Sequence, residues 1–433
     1  MVRIGAMASP GFPLDRRELM AGLGAMALVP ALPSIAMARS ALALQLKADS
    51  AALRPGNPDV PIWSVAGPEL RFKRGDTVEF AVANELPVAA ALNWRGLDGA
   101  AAVEPLTGRS PIAPGGKDAF EVTPRHAGTY LCDASLLGDG QARPLRPRAL
   151  IVGETESIAV DRDETILIEE WRLRPDGTAV APGGDPKGTV PLYTLNGRTS
   201  FELSASANER LRLRFINASQ RSVLAIKLEN NDVRVMAIDG QPAEPFPARN
   251  GALVLAPGGR SDAFVDTAVT ASFLLHNGTE AHQVGKLVIS GYRERRAPLL
   301  PAPPLPSNGL PAQLDLRNGL RFDLPGGPND WGTPVSFKAS SPPVFRAKAG
   351  RTVVLTLTNP NPVANVFHLH GHHFRLLDRL DDGWKPFWLD TLAVEPGQTQ
   401  RIAFLAEYPG RYLIESVATD WAAPQMVRWY SVE

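Results

Sequence analysis

The segment GRTVVLTLTN, residues 350–359, alternates apolar and polar side chains and then stops at an asparagine. Two earlier segments repeat this pattern, GDTVEFAVAN at residues 75–84 and ERLRLRFIN at residues 209–217. Alternation with a period of two, bounded by turn-forming residues, is typical of a half-buried β-strand. The sequence therefore predicts a structural unit that occurs three times.

Further elements recur in step with these strands. Pro-Gly turns, each followed by another alternating segment, occur as APGG at residues 113–116 and 256–259 and as EPGQ at residues 395–398. The segments AGTYLC at 127–132 and PGRYLI at 409–414 relate the first unit to the last. Several matched elements in the same order predict an all-β protein of three tandem Greek-key β-sandwiches.

Composition and linkers suggest the domain boundaries. The chain has 433 residues with 40 prolines and 38 glycines, which favours a β protein with many turns. We predict domains at 39–153, 154–293 and 312–433, with a proline-rich linker at 294–311 that is a semi-rigid extended spacer. A net charge of +0 argues against nucleic-acid or anionic-membrane binding.

The N-terminal segment has the features of an export signal. A twin arginine, Arg16-Arg17, precedes an apolar run from Ala21 to Leu32, and Ala36-Met37-Ala38 fits an A-x-A cleavage site. A membrane anchor is the alternative, but this run is short and contains Gly and Pro. We predict a twin-arginine signal peptide at residues 1–38, and a mature protein that is periplasmic without a membrane span.

The segment HLHGHHF, residues 368–374, contains four of the seven histidines in the chain. Residues two apart on a strand point to the same face, so His368, His370 and His372 are predicted to converge and could hold a metal ion. The three other histidines are scattered along the chain, and we expect them to be surface or capping residues; they are His126, His276 and His282.

Three such units, with His-Leu-His-Gly in the last one, resemble the multicopper oxidases. The resemblance covers nearly all of the predicted mature chain and implies three cupredoxin-like domains. It also implies a type 1 copper held by His, Cys, His and often Met, and a three-copper cluster held by eight histidines. Thiolate and imidazole ligands suit copper in electron transfer and dioxygen reduction.

The copper-ligand motifs of this family match four segments of the chain, but most ligands are replaced. The matching segments are NWRG at 93–96, CDAS at 132–135, NVFHLHG at 365–371 and ESVATDW at 415–421. Of the type 1 ligands only the optional methionine remains, at Met426.

Two ligands of the three-copper cluster are retained, as His368 and His370, while Asn365 and Ser416 replace the type 1 histidine and cysteine. These replacements at the matched motifs predict that the copper sites have been lost. We therefore expect no cofactor and no laccase-like oxidation. Copper remains the alternative cofactor. Cys132, the single cysteine, is expected to be a buried packing residue.

Charged residues replace several of these ligands. If the resemblance is followed, Arg95, Asp133 and Glu415 converge where copper would lie, and a guanidinium between two carboxylates could cross-link the first and third units. Asn93 and Ser135 are expected to add hydrogen bonds.

A mononuclear metal site formed by His368 and His370, with Asp133 and Glu415 as further ligands, is the alternative to this cross-link. The positive charge of Arg95 argues against that site. We expect His372 and His373 to be satisfied or exposed residues, not ligands.

The favoured function is a non-catalytic periplasmic scaffold or binding protein, similar in type to the copper-free protein SufI, also called FtsP. This resemblance implies periplasmic protein partners, including cell-division or envelope proteins, and a monomeric state. The alternative is a divergent multicopper oxidase or a mononuclear metal oxidoreductase that uses His368 and His370. A third option is small-molecule binding in a cleft lined by tryptophans, namely Trp94, Trp384, Trp388 and Trp421.

Overall fold

A computed structural model provides the structure of this chain. It describes residues 41–138, 142–292, 299–325, 331–378 and 383–433. The predicted signal peptide at 1–38 lies outside the described residues. Within the described ranges the regular structure is β-strand with short 3₁₀ turns, and no helix is long and apolar enough to cross a membrane.

The first part of the chain forms two sheets that enclose a common core. Its strands are β1 (Leu42–Ala51), β2 (Val60–Ala66), β3 (Leu70–Lys73), β4 (Val78–Asn84), β5 (Ala89–Arg95), β6 (Lys117–Val122), β7 (Gly128–Leu137), β8 (Leu145–Arg146) and β9 (Arg148–Gly153). The sheet orders are β6-β4-β1-β2-β8 and β3-β9-β7-β5. Phe80 and Trp94 pack at the centre of this core, with ring centroids 4.9 Å apart.

The middle part repeats this arrangement with larger sheets. Its strands are β10 (Arg162–Leu173), β11 (Ala179–Val180), β12 (Val190–Leu195), β13 (Phe201–Ala207), β14 (Arg210–Asn217), β15 (Leu224–Leu228), β16 (Val233–Ile238), β17 (Gln241–Pro247), β18 (Ala252–Leu255), β19 (Arg260–Asp266), β20 (Ala271–His276) and β21 (Ala281–Tyr292). One sheet has the order β11-β10-β14-β19-β16-β17, with β12 paired to β10, and the other β13-β21-β20-β15-β18. Phe215 and Phe273 meet between them.

The last part forms a third sandwich. Its strands are β22 (Leu320–Pro325), β23 (Arg346–Ala347), β24 (Arg351–Thr358), β25 (Asn365–Leu369), β26 (Arg375–Leu376), β27 (Thr391–Val394), β28 (Thr399–Ala406), β29 (Gly410–Ala418) and β30 (Met426–Val432). The sheet orders are β22-β24-β28-β26 and β23-β30-β29-β25-β27. The 3₁₀ turns lie at Ala101–Val103 and Arg249–Gly251.

The repeated alternating segments occupy the same topological position in all three sandwiches. Strands β4, β14 and β24 each pair in parallel with the first strand of their sandwich, which is β1, β10 or β22. Each also pairs antiparallel with the strand after the Pro-Gly turn, which is β6, β19 or β28. The prediction of an all-β fold with three β-sandwiches is confirmed.

The asparagine that ends each repeated segment is fully buried and fastens the strand to the turn. The Asn217 amide nitrogen donates to the carbonyl oxygens of Ser222 at 2.9 Å and Leu255 at 2.8 Å. Leu255 immediately precedes the Pro-Gly turn, in which Gly258 adopts a φ of +80° that favours glycine. Equivalent amide bonds occur at the two other sites, from Asn84 to Val88 and Ile112 and from Asn359 to Val363 and Val394.

The described part of the proline-rich linker, residues 299–311, contains no helix or strand. Leu305 is buried against Met236 and Phe264, and the Asn308 amide donates to the Ala127 carbonyl at 2.8 Å. The linker therefore packs along its neighbours over this stretch. The domain boundaries given above remain a prediction.

Candidate functional site

Four strands bring the predicted site residues together. Strands β5 and β7 pair with Asn93 opposite Asp133, and strands β25 and β29 pair with His368 opposite Glu415. A hydrogen bond of 3.0 Å from the Asn93 amide nitrogen to Glu415 Oε1 joins the two pairs. The first and third sandwiches therefore meet at this cluster.

Arg95 lies between two carboxylates in the cluster. Its Nε donates to Asp133 Oδ2 at 2.8 Å, and its Nη1 is 2.6 Å from Glu415 Oε2. The side chains of Arg95, Asp133 and Glu415 are 14%, 13% and 6% exposed. The predicted convergence is confirmed, and the two ion pairs connect residues of β5, β7 and β29.

The prediction that Ser135 adds a hydrogen bond to this cluster was wrong. The Ser135 hydroxyl donates to Gln425 Oε1 at 3.3 Å, and Glu415 and Asp133 are bonded by other groups. Position 135 lies two residues further along β7 than Asp133, so its side chain is on the same face but about 7 Å away along the strand.

Burial and pairing act against each other on the pKa values of this cluster. Burial alone would lower the pKa of Arg95, but Asp133 and Glu415 raise it above its ordinary value. Burial would raise the pKa of Glu415, but Arg95 and His370 lower it well below its ordinary value. Burial raises the pKa of Asp133 and outweighs the opposing effect of Arg95. Arg95 and Glu415 are thus held charged.

The two retained histidines lie side by side, with ring centroids 4.7 Å apart. His368 Nδ1 is 2.9 Å from the Thr391 hydroxyl, and His370 Nδ1 is 2.8 Å from Glu104 Oε1. Burial lowers the pKa of His368 to about 4. Burial would also lower that of His370, but Glu104 raises its pKa to about 10.

The Nε2 atoms of both histidines are buried and lack a hydrogen-bond partner among the described residues. His370 Nε2 is 3.2 Å from Glu415 Oε1, without hydrogen-bond geometry. Nowhere in the described ranges do three or more His, Cys, Asp or Glu side chains have an arrangement suited to a metal ion. The roles of His368, His370, Asp133 and Glu415 as ligands remain a prediction.

The expectation that His372 shares a face with His368 and His370 was wrong. Strand β25 ends at Leu369, and Gly371 has a φ of +73°, so the alternation of faces stops there. His372 Nδ1 lies 2.7 Å from the Tyr430 hydroxyl instead, and His372 is buried among tyrosines. This agrees with the expectation that it is a satisfied residue.

The other histidines divide between buried and peripheral positions. His373 Nδ1 is 2.8 Å from Asp98 Oδ2, and His126 Nδ1 is 2.9 Å from the same oxygen. His126 is 6% exposed, so its expected surface position was wrong. His276 accepts a hydrogen bond from the Gly278 backbone, and His282 is partly exposed, as expected of capping or surface residues.

The position that matches type 1 copper has a compact polar pair. The Asn365 amide nitrogen donates to the Ser416 hydroxyl at 2.8 Å, and Met426 pairs with Ser416 across strands β29 and β30.

Cys132 is fully buried in the first core, where burial raises the pKa of its thiol well above its ordinary value. The prediction that Cys132 is a packing residue is confirmed.

The proposed tryptophan-lined cleft does not form. Trp94 lies in the first core, while Trp384 and Trp388 pack around Arg375 in the third sandwich. Trp421 stacks on Arg172 and donates its indole N–H to Ala181 at 3.1 Å. The four tryptophans therefore lie at separate places in the structure and line no common cleft.

Several buried charged partners in the structure were not among the predicted site residues. Glu104 bonds to His370, and Arg260 donates to Asp390 Oδ1 at 3.1 Å, with Asp239 close by. The one sequence signal was the position of Arg260, directly after a Pro-Gly-Gly turn. Charged residues in an alternating strand otherwise suggest a solvated face.

Comparison with known proteins identifies the family. Models described as multicopper oxidase match residues 63–145, 156–292 and 313–433. This chain belongs to the multicopper oxidase family.

Among curated proteins, the chain is 25% identical over 424 residues to multicopper oxidase MmcO of Mycobacterium tuberculosis, a match that covers 81% of this chain and 78% of MmcO. It is 28% identical over 245 residues to Laccase-7 of Arabidopsis thaliana, covering 49% of this chain but only 41% of that protein.

Solved structures show the same fold. Lac15 from a marine microbial metagenome matches with a TM-score of 0.76 and 24% identity, over 91% of this chain and all 100% of Lac15. A multi-copper oxidase from Pseudomonas thermotolerans matches with a TM-score of 0.76 and 22% identity, over 90% and 98% of the two chains. The three sandwiches are therefore of the cupredoxin-like type.

The expectation that no cofactor is present was wrong in the light of these matches. All three parts of the chain match models of multicopper oxidases, so copper is the cofactor that family membership implies. The likeness to SufI, in contrast, gains no support from these comparisons.

The described residues do not fit the full copper set of such an enzyme. In the cluster, His368 and His370 are the imidazoles available, and the Arg95 guanidinium lies beside them. The pair Asn365 and Ser416 offers neither imidazole nor thiolate. Three coppers need more imidazoles than this, and type 1 copper needs a thiolate.

Proposed function

We propose that this member of the multicopper oxidase family acts as a non-catalytic scaffold or binding protein. One observation carries the proposal: the Arg95 guanidinium forms ion pairs with Asp133 and Glu415 at the junction of the first and third sandwiches. A fixed cation beside two imidazoles opposes the binding of further cations and instead cross-links the two sandwiches. The protein would therefore lack oxidase turnover.

A polar pair at Asn365 and Ser416 supports the same conclusion. Electrons enter a multicopper oxidase through a copper with a thiolate ligand, and the hydroxyl of Ser416 cannot replace that ligand. The function would then depend on the sandwich surfaces and on protein partners in the cell envelope, with the chain acting as a monomer. A cell-division partner is an analogy with SufI and rests on fold type alone.

The test is turnover of a phenolic and of a cuprous substrate by full-length protein produced with ample copper. We expect rates no higher than those of free copper at the same concentration. The matched control is the double variant His368→Ala and His370→Ala, which should give the same rates as the wild type. Turnover by the wild type that disappears in the double variant would refute the scaffold proposal.

A metal site at His368 and His370 is the second candidate, favoured by the buried His368 Nε2, which has no hydrogen-bond partner among the described residues. Asp133 and Glu415 would provide oxygen ligands after a change of their contacts with Arg95. Elemental analysis decides this point. One metal ion per chain, lost in the double variant, supports the candidate, and equal metal contents in the two proteins contradict it.

Export to the periplasm through the twin-arginine pathway is also part of the proposal. It rests on Arg16-Arg17 and the apolar run that follows them in the sequence. Folded proteins are the cargo of this pathway, which suits three sandwiches with strand pairings over long sequence distances.

A further inference from the structure

Arg221 differs from the other buried arginines of this protein in its electrostatic environment. It is 7% exposed, and its Nε and Nη1 donate to the backbone carbonyls of Ala423 at 3.1 Å and Gln220 at 2.8 Å. Among the described residues no carboxylate lies within ion-pair distance of it. Other buried arginines have an aspartate oxygen within 2.6 Å, namely Arg212, Arg214 and Arg260.

A buried cation without an anion nearby is costly, because the protein interior does not replace its hydration. Burial, and next the charge of Arg95, lower the pKa of Arg221 to about 10, so it stays protonated at neutral pH. Glu415 and Asp420 exert weaker opposing effects on it. The charge of Arg221 thus lacks a close partner within the described chain.

Arg221 lines a cavity of about 50 Å³ whose wall also includes Asp133, and Arg95 and Glu415, which neutralise each other in an ion pair. A water molecule needs roughly 10–15 Å³, so the cavity has room for about four waters or one small polyatomic ion. Ser135, Ser219 and Gln425 contribute polar side chains to its wall. The cavity is therefore polar and of the size of a small oxyanion.

Asp133 contributes a buried acceptor without a hydrogen-bond partner to the same wall. Its Oδ2 accepts from Arg95, but its Oδ1 is buried and has no hydrogen-bond partner among the described residues. A carboxylate oxygen accepts hydrogen bonds and repels an anion that has no proton to donate. A ligand that satisfies both Arg221 and Asp133 must therefore carry negative oxygens and also a hydroxyl group.

We propose that the cavity beside Arg221 binds a small oxyanion that carries a hydroxyl group, either hydrogenphosphate or a short hydroxycarboxylate. Oxygens of the ion accept from the Arg221 guanidinium, and its hydroxyl donates to Asp133 Oδ1. This inference is independent of oxidase turnover and goes beyond the scaffold proposal.

Isothermal titration of the full chain with inorganic phosphate, glycolate and sulfate tests the proposal at constant ionic strength. We expect saturable one-to-one binding of phosphate or glycolate, and the tighter of the two identifies the source of the oxyanion. Sulfate, which carries no proton near neutral pH, should bind at least tenfold more weakly. Absence of saturable binding by the wild type, or equal affinity for sulfate, would overturn the proposal.

Two variants locate the site. Arg221→Met should weaken phosphate or glycolate binding at least tenfold, and it should fold because it removes a buried cation that has no carboxylate within ion-pair distance in the described part of the chain. The control is Arg346→Met, which alters an exposed ion pair with Glu433 and should leave binding unchanged. Unaltered binding by Arg221→Met would refute the assignment.

Asp133→Asn tests the second contact. The asparagine can present an N–H donor where the carboxylate presents only acceptors, so the preference for phosphate over sulfate should fall at least fivefold. A variant that binds both ions more tightly but keeps their ratio would contradict the hydrogen bond to Asp133 and overturn the choice of ligand.

Discussion

Arg95→Ala should destabilise the protein by leaving two buried carboxylates without their cation. Breaking one partner out of a buried ion pair costs about 3–5 kcal/mol, because the remaining charge stays poorly hydrated. Glu415 keeps the Asn93 hydrogen bond at 3.0 Å, and Asp133 adjoins the cavity, where water can reach it. We therefore expect a loss at the lower end, about 3 kcal/mol.

The assay is thermal unfolding, followed by calorimetry at pH 7. For units of 150–250 residues, 1 kcal/mol changes the midpoint by about 2–4 °C, so a loss of about 3 kcal/mol corresponds to about 6–12 °C. The matched control is Arg346→Ala. Its 2.9 Å pair with Glu433 is 60% exposed on both sides, and loss of such a pair costs about 0–1 kcal/mol.

The comparison of these two variants isolates the effect of burial, since both remove an arginine from an ion pair. A midpoint for Arg95→Ala that lies within 2 °C or so of the Arg346→Ala midpoint would refute the reasoning. It would mean that solvent hydrates Asp133 and Glu415 and that the cross-link contributes little to stability.

Three further predictions concern the fold, its pH dependence and export. Asn217→Ala should lower the free energy of unfolding by roughly 2–4 kcal/mol, because the carbonyls of Ser222 and Leu255 lose their donor. The control is Asn318→Ala at an exposed position, which should change this free energy little. Equal losses for the two variants in urea titrations would contradict the prediction. Burial would lower the pKa of His373, but Asp98 raises it to about 9. The stabilisation of the fold by protonated His373 is therefore complete below about pH 6.5 and declines as the pH rises towards 9. His373→Gln should flatten the dependence of the unfolding free energy on pH in that window, and a variant with the same pH dependence as the wild type would count against the ion pair. Arg16→Lys combined with Arg17→Lys should abolish periplasmic accumulation, and a normal periplasmic yield would disprove the export signal.

Much of the fold could be predicted from the sequence, because its causes are local. Alternating residues define a strand wherever they occur, and Pro-Gly defines a turn through the φ values it permits. The repeated asparagines marked the strand ends, although their hydrogen bonds to carbonyls before the Pro-Gly turns became visible only in the structure.

The site was predicted in part. Convergence of Arg95, Asp133 and Glu415 followed from motifs matched to a family, and the structure confirms it. The position of His372 was not predictable from periodicity, since β25 ends at Leu369 and the positive φ of Gly371 ends the alternation of faces before His372.

By itself, the sequence determined an all-β chain of three repeated sandwiches and the replacement of most residues at the copper-ligand motifs. Tertiary structure alone decided which charges are compensated. Arg95 acquires Glu415 from another sandwich as a partner, whereas Arg221, which is buried in the loop after β14, acquires no carboxylate among the described residues. The physical reason is that burial and ion pairing depend on contacts between residues distant in the sequence, and no local pattern of side chains specifies those contacts.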